Sequence, residues 1–223
     1  MIIKYSNIIR RSSNAVAMKL ANFARLDPSL KERNVSGLTR GAKGEEKVWN
    51  EFHGNWNDLA FESEKLIAEY QNKTLEESTE IFIEDLPEGR EKERVLRTRI
   101  NQKFFRTSIL TSYNSSCCIS GLAIPEMLVS SHIIPWSVSV EHRLNPSNGL
   151  CLNSLHDSAF DKGFISISQD YKVIVSTEIE DLNSQESVTN FFLRFKNVPI
   201  SLPKKFLPNP KFLQFHREEI FRK

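Results

Sequence analysis

Between residues 127 and 176 the apolar residues stop recurring every three or four positions. They fall instead into short, β-branched runs separated by turn formers. Met127-Leu128-Val129-Ser130-Ser131-His132-Ile133-Ile134 is stopped by Pro135, and Leu150-Cys151-Leu152 follows the turn cluster Asn145-Pro146-Ser147-Asn148-Gly149. Such runs suit strands. Asn153 or Ser154 can then cap a helix carrying Leu155, His156, Ala159 and Phe160, which Gly163 ends. Phe164–Ile167 and Val173–Ser176 alternate around Gln169-Asp170, a hairpin signal. Strands this short and this few cannot build a large sheet. They must close on helices, so the pattern predicts an α+β fold with a strand–loop–strand–helix unit in the C-terminal half.

The first half reads as helical. In 13–25, Val16, Leu20 and Phe23 form one apolar stripe, with Asn14, Met18, Asn22 and Arg25 opposite. With Ile2–Ile9 before it and a tight turn at Arg10–Ser13, this is the outline of a helix-turn-helix DNA reader. Residues 34–45 read as a loop. Residues 45–73 have helical spacing with Val48, Trp49, Phe52, Leu59, Phe61, Leu66 and Ile67 as core. Residues 73–92 are acidic, contain Pro87-Glu88-Gly89 and read as a linker, and 92–113 is helical again. The division expected is a basic helical, DNA-binding region at 1–45, an acidic spacer at 46–92 and a catalytic unit at 93–223.

Composition bounds the function. The 223 residues carry a net charge of +2, which excludes a polycation. The small total conceals a pattern: +6 over residues 1–40, −8 over 41–90, +4 over 91–106 and +5 over 196–223. Basic blocks attract phosphate whatever the total. Three Cys exclude a disulfide scaffold. No apolar run reaches the ~18 residues a membrane span needs, so no membrane role is expected. The N-terminus lacks the long apolar core of a secretory signal. A cytoplasmic protein is expected.

Five His are present, and two sit tellingly. His132 ends the first strand, Asn148 lies in the turn before the second, and His156 lies in the first turn of the helix after it. Phosphodiester hydrolysis needs a base to activate water and a cation to neutralise developing charge. Neutral His supplies the first near pH 7, a second His can ligate the cation, and the amide can brace the loop.

The stretch SSHIIPWSVSVEHRLNPSNGLCLNSLHDSAFDKGFISI, residues 130–167, resembles an HNH endonuclease motif, in the form SHI-x-PW, then NP-x-NGL-x-L, then HD-x-AFD-x-G. Residues 100–122 resemble the lead-in of such proteins, and 12–28 and 206–221 resemble the ends of restriction-type members. The resemblance implies a ββα-metal nuclease unit with a divalent metal, Mg²⁺ or Mn²⁺, and double-stranded DNA as substrate. It implies His132 as general base, Asn148 as loop brace and His156 as metal ligand. Many such enzymes have Asp before the first His, where this chain has Ser131. That leaves the second ligand between Asp157 and Asp161, with Asp161 chosen; on a helix, neither shares a face with His156. Asp157 can equally serve as a helix N-terminal charge. Arg143, in the interstrand loop, is placed to clamp a phosphate, as Asn14, Asn22 and Arg25 are to contact DNA. Trp136 packs under the loop or stacks on a base. Cys117 and Cys118 are adjacent and Cys151 is distant, so no structural zinc is expected. One site per chain favours a homodimer for double-strand cleavage.

Overall fold

A computed structural model describes residues 2–28, 30, 41, 43–84, 86, 87 and 89–223. Most of the loop expected at 34–45 lies outside the described residues. The chain forms two compact units, residues 1–101 and 102–223, and the division falls inside one long helix.

The first unit is helical. Helix α1 (Ile2–Ile8) and helix α2 (Ser13–Ala24) are joined by a turn with Arg10 at φ 53. Ser12 caps α2, its hydroxyl accepting from Ala15 N at 3.2 Å. Gly54 (φ 82) and the cap Asn55 split the next expected helix into α3 (Lys43–Phe52) and α4 (Trp56–Gln71). Val48 on α3 and Leu66 on α4, expected in the core, are exposed; on α4 the inward face is set by Ala60, Phe61 and Ala68.

The acidic stretch is packed rather than free. Thr74 and Glu77 form a capping box that starts the short helix α5 (Leu75–Thr79). Ile83 is buried with Phe61, Leu96 and Ile100, the last two from helix α6 (Arg90–Ser112), and Leu75, Ile81, Leu86 and Val95 pack against them. Apolar spacing between the acids therefore outweighed the charge count: each such side chain buried contributes ~1.5–3 kcal/mol, more than a solvated charge opposes.

The second unit begins with the last turns of α6. Strands β1 (Leu128–His132) and β2 (Gly149–Asn153) pair antiparallel, with His132 opposite Gly149. Helix α7 (Ser154–Asp161) follows at once, capped by the Asn153 side chain accepting from His156 N at 2.9 Å. Strands β3 (Ile165–Ile167) and β4 (Val173–Val175) form the expected hairpin. Short helices α8 (Thr177–Glu180) and α9 (Glu186–Phe191) lead to α10 (Pro210–Glu219), capped by Asn209 with Pro210 in its first turn. Phe105, Ile109, Leu150, Leu152, Phe160, Ile165, Ile167 and Leu213 are fully buried and form its apolar interior.

Two glycines are sterically required. A Cβ at Gly149 would meet the Ile109 side chain and, at 2.8 Å, Phe105 Cζ, so glycine is what lets α6 lie against β2. Gly163 has φ 76, and a Cβ there would run into Ile220 O. The α+β architecture with a C-terminal ββα unit is as the sequence implied.

Candidate active site

The ββα unit positions its side chains through the β1–β2 loop. Asn148 is 1% exposed and fully used. Its Nδ2 donates to Ile134 O and His142 O, both at 3.1 Å, and its Oδ1 accepts from Ile134 N at 2.8 Å. Both ends of the loop are thereby tied to one amide.

His132 is at the mouth of this loop. Its ring stacks on Phe105, with centroids 4.0 Å and planes 11° apart, and meets Trp136 edge-on at 5.6 Å. Its Nε2 lies 2.8 Å from Arg143 O. A carbonyl can only accept, so Nε2 carries the hydrogen and Nδ1 is left as the basic nitrogen. Burial pushes the imidazole below its usual range, against the pull of Arg143 O and of the Asp157 charge. The ring is therefore neutral at pH 7 in the tautomer a general base needs. Arg143 is held in turn, its Nε donating to Trp136 O at 2.7 Å and its guanidinium 5.0 Å from the Trp136 ring centre.

A cavity of about 370 Å³ opens beside His132, lined among others by Ser131, Trp136, Asp157, Asp161 and His216. Asp157 and Asp161 are one helical turn apart on α7 and so share a face. Burial raises the Asp157 carboxyl, opposed by the Ser131 hydroxyl and the nearby His132. Asp161 is pushed up to about 6, by desolvation and then by the Asp157 charge. Solvent still reaches Asp161, which weakens the desolvation and leaves like-charge repulsion as the cause specific to this site. Among the described residues neither carboxylate forms an ion pair with Lys or Arg. His216 lines the cavity but is structural. It stacks on Phe160 at 3.7 Å, its nitrogens bond Ser166 Oγ and Phe160 O, and burial takes it down to about 4.

His156 does not join this group. It is 3% exposed and lies on the other side of α7 from the cavity lining, about 100° of helix rotation from Asp157. Its Nε2 donates to Phe191 O at 2.9 Å, and its Nδ1 lies 3.1 Å from Asn153 Nδ2 and 3.7 Å from Cys117 Sγ. Asn153 Nδ2 also donates to Ser120 Oγ at 3.0 Å, and Ser120 N approaches Cys117 Sγ at 3.5 Å. Cys117-x-x-Ser120 and Asn153-x-x-His156 thus meet in one hydrogen-bonded cluster that ties the start of α7 to the segment before β1. The metal-ligand role expected of His156 is at odds with this placement, because the imidazole is already committed on both nitrogens. The carboxylates of the same helix enter the cavity instead. The signal was in the sequence: Asp157 and Asp161 are four apart, the spacing that puts two side chains on one helical face.

The expected DNA-reading face of α2 also differs. Asn22 is 9% exposed and donates to Glu45 Oε1 at 3.1 Å, Lys19 pairs with the same oxygen at 2.5 Å, and Arg25 pairs with Glu46 at 3.0 Å. A buried carboxylate needs cations and donors, so Glu45 draws this face inward and leaves Met18 and Leu20 exposed. Asn14 is exposed.

Residues 117–168 match the family model of the HNH endonucleases. The chain carries an HNH endonuclease domain. That span holds β1, the braced loop, β2 and α7, and with them His132, Asn148, Asp157 and Asp161. A solved structure titled modification dependent TagI restriction endonuclease is similar at 18% identity and a TM-score of 0.35. The overlap covers 50% of this chain and 35% of that one, so the chain spans about a third of that protein's length. No curated protein matches. No helix among the described residues is long and apolar enough to cross a membrane.

Proposed function

We propose that the chain is a divalent-metal-dependent endonuclease that cuts double-stranded DNA, with His132 as general base and Asp157 and Asp161 as holders of the cation. The observation that carries this reading is His132 itself: its Nε2–H is locked on Arg143 O, its Nδ1 is left to accept, and it shares one cavity with two carboxylates that, among the described residues, form no ion pair with Lys or Arg. Carboxylate oxygens one helical turn apart suit a hard divalent cation, and their mutual repulsion is what such an ion relieves. Among the described residues no three acids, His or Cys form a ready-made cluster, so water and substrate oxygens complete the shell.

In this reading water bound at the cavity gives its proton to His132 Nδ1 and attacks phosphorus. Phe105 and Arg143 O hold the ring in place for that transfer, so little reorganisation is needed. A bound divalent cation supplies charge stabilisation for the phosphorane and the leaving oxygen. Arg143, seated on Trp136, clamps a neighbouring phosphate. The basic blocks at 91–106 and 196–223 draw the duplex toward the domain. A restriction role follows from the likeness of residues 12–28 and 206–221 to restriction-type proteins, and is read by phage plating on cells that carry the gene.

The test is nicking of supercoiled plasmid with Mg²⁺ or Mn²⁺. The parent cuts, and His132→Ala falls by a factor of about 10²–10⁴. Loss of cutting on chelation, restored by Mg²⁺, supports the metal. No cutting of DNA with any divalent ion leaves a DNA-binding protein with an inactive HNH unit, a reading that Ser131 in place of an acid favours.

A further inference from the structure

Outside the cavity, one segment of the HNH domain is held in a conformation that its residues do not favour. Phe206 has φ 57, in the left-handed region that a bulky side chain enters only at a steric cost. It is 39% exposed and Leu207 beside it 51%, so neither side chain recovers that cost by full burial. The segment is nonetheless pinned at both ends. Before it, Ile200 N donates to Tyr171 O at 2.9 Å and Ser201 N to Cys118 O at 2.8 Å. After it, Tyr171 Oη donates to Pro208 O at 3.2 Å and Asn209 N to Ser147 O at 3.0 Å. Pro203 and Pro208 are buried, and between them Lys204, Lys205, Phe206 and Leu207 are all exposed. An exposed aromatic held in a strained conformation on a fixed base points to a contact surface, because such a tip loses little freedom on binding.

The tip stands beside the loop that carries the site. Ser147, which holds Asn209, adjoins the brace Asn148, and the Phe212 ring of α10 meets His142 of the same loop at 4.6 Å. Farther along α10, His216 and Ile220 line the cavity. From Lys211 to Ile220 the helix rises ~14 Å, about the axial rise of four base pairs. Charge follows the same line. Residues 204–211 hold three lysines and no acid. Lys172 and Lys196 of this domain are paired with Asp170 and Glu180, whereas Lys204, Lys205 and Lys211 form no ion pair among the described residues. Cations and apolar side chains together on one tip suit a duplex: phosphates take the lysines, and a groove takes the apolar pair.

We propose that residues 204–207 form a DNA-bending wedge beside the cut. Lys204 and Lys205, with Lys211, hold phosphates a few base pairs from the cavity. Phe206 and Leu207 enter the minor groove and partly unstack one base step, which kinks the duplex toward its major groove. The inference rests on the reading of the cavity as a DNA nuclease site. It gives the enzyme a source of site preference that needs no base hydrogen bonds, since a flexible step such as TA or CA is kinked at less cost than a stiff one.

The test uses the full chain carrying His132→Ala, so that the DNA stays whole, and a duplex of about 30 base pairs with a dye at each end. Energy transfer between the dyes reads the bend, and titration reads the affinity. The His132→Ala chain brings the duplex ends together. Adding Phe206→Gly and Leu207→Ser abolishes the bend and weakens binding about tenfold or more, with the salt dependence unchanged. Adding Lys204→Ala, Lys205→Ala and Lys211→Ala instead lowers the slope of log affinity against log salt by about 2.7, about 0.9 for each phosphate released. Phe206→Gly removes the ring and the backbone strain together, so its melting point is unchanged or higher. A Phe206→Gly protein that melts lower and still binds and bends DNA fully would show a structural ring and overturn the inference. So would tip variants that change binding to phosphatidylserine vesicles and leave DNA binding as it was. If the chain with His132 intact cuts DNA and the tip variants bind and bend it normally, the inference fails and the nuclease reading stands. If that chain cuts no DNA while the tip variants lose the bend, the nuclease reading fails alone.

Discussion

At the scale of single residues, the positions of His132 and Asn148 about the interstrand loop were legible from the sequence, and the direction in which His156 faces was not. His132 and Asn148 act through short-range geometry: each sits at a strand end, and the turn residues around them fix where they point. His156 faces either way depending on the phase of a helix that begins one residue after a strand, and only the Asn153 cap sets that phase. Replacing His156 by Ala is expected to cost about 2–4 kcal/mol of stability, because Phe191 O and Asn153 Nδ2 lose a buried partner and a void is left. Chemical denaturation reads this, and Mn²⁺ binding by the folded fraction is expected to stay within a few-fold of the parent. Asn148→Ala leaves Ile134 N and two carbonyls unpaired, for about 2–4 kcal/mol. Activity is expected to fall with it, since the loop that carries Arg143 O to His132 loses its brace. The pH dependence has a definite sign. Burial holds the His132 imidazole below its usual range while the Asp161 carboxyl is pushed up to about 6, so the acid limb of cleavage is assigned to Asp161, which must ionise to hold a cation. Rate profiles at sub-saturating Mg²⁺ are expected to break near pH 6, and raising Mg²⁺ moves the break to lower pH. The same raised carboxyl begins to cost the metal-free protein stability as pH rises through the unfolded value of 3.8, costs it in full above about pH 6, and costs next to nothing at about pH 3 or below, where it is protonated both folded and unfolded. Asp161→Asn is therefore expected to raise the metal-free melting point at about pH 8 and leave it nearly unchanged at about pH 3.

At the scale of elements, the strands, the hairpin and α7 were written in runs and turns, and the boundaries of the helical half were not. The split at Gly54 and the cap at Asn55 are local signals hidden in one continuous apolar period. Leu20 and Phe23 satisfied the pattern of an inward stripe, yet Glu45, far away in sequence, reversed part of that face by burying its carboxylate against Lys19 and Asn22. Periodicity reports amphipathicity but cannot report which polar partner is available. The junction of α6 and β2 offers a test of element packing. Gly149→Ala is expected to cost about 1–3 kcal/mol, because the new methyl displaces Ile109 and the Phe105 ring. Phe105 carries the His132 ring, so cleavage should fall more than stability alone explains. Ile109→Ala in the same chain should restore part of both, which a double-mutant cycle measures.

At the scale of the whole molecule, two units share one chain, and the cation is expected to act on only one. Trp136 is the single Trp of residues 102–223, and Trp49 and Trp56 lie in residues 1–101. In a Trp49→Phe, Trp56→Phe protein, millimolar Mg²⁺ is expected to raise the midpoint followed by Trp136 fluorescence. In a Trp136→Phe protein the transition followed by the other two is expected to shift less. Equal shifts would show that the units unfold as one. The sequence by itself determined the α+β class and the ββα order, and it placed His132 and Asn148 at the two ends of the interstrand loop, since all of these are encoded within stretches of a few tens of residues by turn chemistry and alternation. Tertiary structure alone decided which face of α7 meets the cavity, that the acidic segment packs rather than links, and that the basic face of α2 is spent on Glu45 and Glu46. Each of those depends on a partner distant in sequence, and a carboxylate or an imidazole has no preferred direction until the group that satisfies it is in place.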